Sequence, residues 1–126
     1  MMNKILVKTV HGLWFINTLK ILQADVEAKN EYGNTALIRA ARRGNQAILT
    51  ELLQAKAQPN ASDNKGRTAL HQAAENGSQA AVDLLIQAKA DPTAVDKLFG
   101  ETAAKRAEAR GHAELAQRLI QAEGLA

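Results

Sequence analysis

The sequence contains no cysteine. That absence removes a disulfide framework, a thiolate metal site and a cysteine nucleophile together, and it fits a reducing compartment. Aromatic residues are almost as scarce: Trp14, Phe15, Tyr32 and Phe99 are all there are. Since 46% of the 126 residues are hydrophobic, the apolar content is mostly Ala and Leu. Such a composition packs closely spaced helices rather than a sandwich of β-branched and aromatic strands, and the length suits one domain. No uncharged apolar run approaches roughly 18 residues, so no membrane span is expected.

Acids are missing from one part of the chain. Residues 1–23 carry Lys4, Lys8 and Lys20 and no Asp or Glu, which accounts for the whole net charge of +3. The remaining residues balance, so the body offers little counterion release on a phosphate backbone, and nucleic acid is not the expected partner. The alternative to a protein partner is contact with nucleic acid or a membrane surface through this basic segment. A second reading of the same stretch is a secretory leader within residues 1–28, because Lys4 and Lys8 precede apolar residues and Val26-Glu27-Ala28 can be read as a cleavage site. That would place the protein outside the cell or in a periplasm; otherwise the expected compartment is the cytoplasm.

Motifs for chemistry are lacking. There is no G-x-S-x-G, no G-x-x-x-x-G-K-[ST] and no G-x-G-x-x-G, and His11, His71 and His112 form no H-x-x-x-H pair. No catalytic residue, metal ligand or cofactor is therefore expected. Carboxylates such as Asp63, Glu75 and Glu108 fall at solvated positions rather than in a dry pair. His71 lies three residues after Thr68, within reach of its hydroxyl, and reads as structural.

What the chain does contain is repetition. Thr35-Ala36-Leu37-Ile38-Arg39-Ala40-Ala41, Thr68-Ala69-Leu70-His71-Gln72-Ala73-Ala74 and Thr102-Ala103-Ala104-Lys105-Arg106-Ala107 recur, the Thr residues spaced by 33 and 34. Glycines keep the register at 33, 66 and 100 and again at 44, 77 and 111. Apolar pairs follow at Leu52-Leu53, Leu85-Ile86 and Leu119-Ile120. Each Thr sits where a helix N-cap belongs. Leu37, Ala40 and Ala41 fall at i, i+3 and i+4, one face of a helix, as do Leu70, Ala73 and Ala74. Gly44, Gly77 and Gly111 are expected to end these helices at positive φ. A second helix should then turn Leu49, Leu52 and Leu53 inward, and likewise Val82, Leu85 and Ile86, then Leu115, Leu119 and Ile120.

The period and the Thr-x-Leu-His-x-Ala-Ala phrase of Thr68–Ala74 resemble the ankyrin-repeat family. The family's Pro after Thr is Ala at 36, 69 and 103, and its His survives only as His71. The resemblance implies an all-α solenoid of about four stacked helix–turn–helix units with hairpin-like connecting loops, in one domain. The units are a degenerate first one over 3–23, then 24–56 and 57–89, and a C-terminal cap over 90–124. The cap carries a one-residue insertion at Leu98-Phe99.

The resemblance also implies a non-catalytic protein-binding module and says where it would bind. By register, the loop tips give Glu31, Tyr32 and Asn34, then Asn64, Lys65 and Arg67, then Lys97, Leu98, Phe99 and Glu101. The concave face of the first helices gives Arg39, Arg42 and Arg43, then Gln72, Glu75 and Asn76, then Arg106 and Arg110. Tyr32, Arg42, Arg43 and Arg67 are the expected anchors, since binding energy concentrates in Tyr, Trp and Arg. Phe99 is either a contact or a plug for the insertion loop. Trp14 and Phe15 are adjacent on a helix and cannot both face one stripe. One is expected to pack on the next unit, and the other leaves room for weak self-association of a monomer.

Overall fold

The computed structural model describes residues 25–125. The expected first unit over 3–23, with Trp14 and Phe15, lies outside the described residues. Three helix pairs follow one another: α1 (Ala36–Arg43) with α2 (Gln46–Gln54), α3 (Ala69–Asn76) with α4 (Gln79–Gln87), and α5 (Ala103–Ala109) with α6 (Ala113–Leu125). Among the described residues strand pairing is limited to one isolated antiparallel bridge, Ser62 with Thr68, at a loop base.

Each first helix begins at the expected threonine. The hydroxyls of Thr35, Thr68 and Thr102 accept from the backbone N–H groups of Ile38, His71 and Lys105. Sequence reasoning did not single out the caps of the second helices: Asn45 and Ser78 do the same for α2 and α4. Gly44 and Gly77 close α1 and α3 in the left-handed conformation, at φ 72° and 70°. Lys56 and Lys89 take the same conformation just past α2 and α4, at φ 69° and 73°. Nothing in the repeat phrase marks those lysines as positions for glycine.

The units stack through their inner stripes. Leu37, Leu49, Leu52, Leu70, Leu85 and Leu119 are fully buried, and Ala40, Ala41, Ala73, Ala74, Ala103 and Ala107 fill the spaces between first helices. These alanines let α1, α3 and α5 approach one another closely, whereas α2 and α4 touch less. The row therefore curves toward its first-helix side. One expectation fails: Ile120 is 46% exposed rather than inward. Its register mates Leu53 and Ile86 are half-buried against the core, each with a following unit beside it. Ile120 lies on the last described helix and lacks that cover.

No described helix is long and apolar enough to cross a membrane.

Candidate functional site

The tips are built by one device used three times. Asn30, Asp63 and Asp96 each aim a side-chain oxygen back at the turn that follows. Asn30 Oδ1 accepts from the N–H groups of Tyr32 (2.9 Å) and Asn34 (3.0 Å). Asp63 Oδ1 accepts from those of Lys65 and Arg67, both at 2.9 Å. Asp96 Oδ1 accepts from those of Phe99 (2.7 Å) and Gly100 (3.2 Å). The shift from i+2/i+4 to i+3/i+4 accommodates the inserted residue. Burial alone would raise the Asp96 pKa, but the N–H groups of Phe99 and Gly100 outweigh it and hold the carboxyl below its ordinary 3.8.

Adjacent tips are joined edge to edge. The Asn64 N–H donates to the Tyr32 carbonyl (3.0 Å) and the Lys97 N–H to the Lys65 carbonyl (2.9 Å). The Asn64 side chain also donates to the Glu31 carbonyl, at 3.0 Å. Gly33 has φ 80°, and a Cβ there would lie 2.4 Å from Asn64 Oδ1, so the first tip needs glycine both for its turn and for the approach of the second.

These contacts sort the residues singled out from the sequence. Asn34 and Gln72 are buried, 6% and 5% exposed. Both accept from one guanidinium: Arg42 Nη2 donates to Asn34 Oδ1 (3.2 Å) and Arg42 Nε to Gln72 Oε1 (3.5 Å). Asn76, exposed at the end of α3, donates from its amide to the Ala41 carbonyl at 3.1 Å. Glu75 is half-buried and pairs with Arg106 (3.1 Å) and with Arg110, while Arg106 also reaches Glu101 at 3.4 Å. Arg42–Asn34 and Arg106–Glu101 act within a unit, and the others tie one unit to the next. Glu31, Tyr32, Arg39, Arg43, Lys65, Lys97 and Phe99 remain exposed. Phe99 is 71% exposed, so the insertion projects its ring rather than plugging itself.

Tyr32, Asn34, Arg42, Asn64, Lys65 and Arg67 come together around one cleft of about 410 Å³ between the first two tips and α1. Asp63, which the sequence reading placed among solvated carboxylates, is a wall of the same cleft and is buried. Its Oδ2 accepts from Arg67 Nε at 3.1 Å. The signal that could have found it is the recurrence of Asn or Asp at 30, 63 and 96, five or six residues before each cap threonine.

The two described histidines both use their rings within the scaffold. His71 Nδ1 lies 3.1 Å from the Thr68 N–H and Nε2 lies 2.8 Å from the Glu101 carbonyl oxygen. A carbonyl oxygen only accepts, so Nε2 carries the proton and Nδ1 accepts. Burial holds this ring's pKa below its ordinary 6.5, against the opposing pull of the Glu101 hydrogen bond. His112 Nε2 sits 3.2 Å from the Glu75 carbonyl oxygen, and its ring fills the space beside Gly77.

A family model described as "Ankyrin repeats (3 copies)" matches residues 7–96. No curated protein matches the chain closely enough to count as a relative. The match covers the first two described helix pairs and most of the segment before them, and α5 with α6 extends the same packing beyond it. With helix pairs of the matching period and tips joined in register, the chain belongs to the ankyrin-repeat family.

Proposed function

We propose that this chain is a non-catalytic adaptor that seats a partner protein on its tips and first-helix face, with the cleft between the first two tips as the anchor point. Ankyrin repeats are in general protein–protein interaction modules. The observation that carries the narrower reading is the convergence of Tyr32, Arg42, Lys65 and Arg67 on one cleft, in a protein otherwise poor in aromatic side chains. Tyrosine and arginine are the residues that most often dominate interface energies. The non-catalytic reading is supported by the two described histidines, whose ring nitrogens hold Thr68, Glu101 and Glu75 rather than a reacting group. In this reading the protein works as a monomer in the cytoplasm.

The test is selection of binders from a displayed library of random peptides, followed by affinity measurement on purified variants. Peptides that lose binding to Tyr32→Ala and Lys65→Ala, but not to Arg118→Gln on the second-helix side, are the expected outcome. Selected peptides indifferent to Tyr32 and Lys65 would overturn the assignment of the anchor. A selection with no enrichment would overturn the adaptor reading.

A further inference from the structure

The first-helix face changes electrical character along its length. At the α5 end its charges are compensated: Glu75 meets Arg106 and Arg110, and Arg106 meets Glu101. At the α1 end they are not. Among the described residues none of Arg39, Arg42, Arg43 and Lys65 takes part in an ion pair. The cleft lies at that uncompensated end. Its single carboxylate, Asp63, is engaged on both oxygens, by the Lys65 and Arg67 N–H groups and by Arg67 Nε. Asp63 therefore has little left with which to neutralise Lys65 or Arg42. Glu31 is exposed on the neighbouring tip but is not part of the cleft lining.

Arg42 is also held in place. Its Nε and one Nη2 hydrogen are bonded to Gln72 and Asn34, both buried, which fixes the plane of the guanidinium. A guanidinium has five N–H donors, so about three remain for a ligand. Donors are thus in excess at the cleft, and a pre-positioned guanidinium binds a carboxylate with little further loss of side-chain freedom. Tyr32, 65% exposed on the rim, offers an aromatic face for an apolar neighbour of that carboxylate.

We propose that the partner presents an acidic segment, and that one of its Asp or Glu carboxylates seats in the cleft on Arg42 and Lys65, with an adjacent apolar residue against the Tyr32 ring. This rests on the adaptor reading above and names the chemistry of the partner.

The probe is a short fluorescein-labelled peptide rich in glutamate around a central leucine and phenylalanine. It is compared with the same peptide carrying glutamine, and with oligothymidylate. Anisotropy titrations should show the glutamate peptide bound at least about tenfold more tightly than the glutamine one, with affinity falling as salt rises. Lys65→Gln and Arg42→Gln should each weaken it by about tenfold, while Arg118→Gln leaves it unchanged. Lys65→Glu should instead favour a lysine version of the peptide. Circular dichroism on each variant separates lost binding from lost fold, and Lys65, being exposed, keeps the test open if Arg42→Gln unfolds.

Equal binding of the glutamate and glutamine peptides, still abolished by Tyr32→Ala, would overturn the acidic preference and leave the adaptor reading standing. Equal weakening by Arg118→Gln would reduce the effect to general charge attraction and overturn the assigned seat. Tighter, Lys65-dependent binding of oligothymidylate would overturn it in favour of nucleic acid. If neither peptide binds while library selection yields Tyr32-dependent binders, the acidic preference alone fails; if selection also yields none, both readings fail.

Discussion

His71 Nε2 donates to the backbone carbonyl oxygen of Glu101 at 2.8 Å, across 30 positions of chain. The same ring accepts from the Thr68 N–H at 3.1 Å. One side chain thus closes the start of α3 and fastens the third tip to it. Replacing it with alanine leaves a buried N–H and a carbonyl without partners, at a cost of about 1–3 kcal/mol. His71→Ala should lower the urea midpoint accordingly.

The same ring makes stability depend on pH. Its pKa is held below 6.5 by burial, so the unfolded chain takes up the proton more readily than the folded one. The stabilising contribution is complete above 6.5 and is lost as pH falls below that value toward the folded ring's lower pKa. Asp96 acts in the same sense further down, its contribution being lost as pH falls below its ordinary 3.8. Urea midpoints should therefore drop between neutrality and about pH 5 in the parent protein, and drop less in a His71→Gln variant. An identical pH slope in the two would show that His71 is not the titrating group.

Thr68→Ala should destabilise by about 1 kcal/mol or somewhat more. The hydroxyl caps the His71 N–H and also lies 3.0 Å from His71 Nδ1, so its loss uncaps α3 and loosens the ring that holds the third tip. Thr35 caps α1 with an isoleucine at the position of His71, so Thr35→Ala should cost less. Urea midpoints of the two variants give the comparison.

Gly77 and Gly44 separate two reasons for glycine. Their φ angles are alike, 70° and 72°, but a Cβ at Gly77 would lie 2.6 Å from His112 Cε1, while one at Gly44 meets nothing within 4 Å. Gly44→Ala should cost about 1 kcal/mol for the left-handed conformation alone. Gly77→Ala should cost clearly more, because the His112 ring must leave the Glu75 carbonyl. Thermal unfolding of both variants measures the difference.

Tyr32→Ala combined with Arg43→Ala should weaken binding of a selected peptide by about tenfold or more while moving the melting temperature little. Both side chains are exposed, and neither side chain hydrogen-bonds a described residue. Parallel loss of fold and binding would assign these residues to the scaffold instead.

The helix starts and their inward stripes were legible because capping and 3.6-residue periodicity are local, and three copies in register reinforced one another. The tips were legible as turns, yet their internal wiring was not. Asp63 holding Arg67 is a contact over four positions, and the recurrence at 30, 63 and 96 was its signal, whereas Gln72 beneath Arg42 depends on a side chain crossing 30 positions of chain. Glu75 read as a solvated carboxylate for the same reason: its partners Arg106 and Arg110 lie 31 and 35 positions away. Ile120 read as core because its register mates are covered, and a repeat pattern does not announce which helix of the described residues lacks a neighbour on that side.

The side-chain bonds between units all bridge neighbours: Glu27 to Gln58 spans 31 positions, Asn60 to Asp91 also 31, and His112 to Glu75 37. Among the described residues no such bond skips a unit, so no described side-chain bond fixes how many units stand in the row. A gene segment encoding 57–89 could be copied in tandem with one new junction to form, that of the unit with itself, lengthening the gripping edge like an added rung on a ladder. In such a lineage, reach evolves by duplication, and specificity by changes at the rungs that are already there.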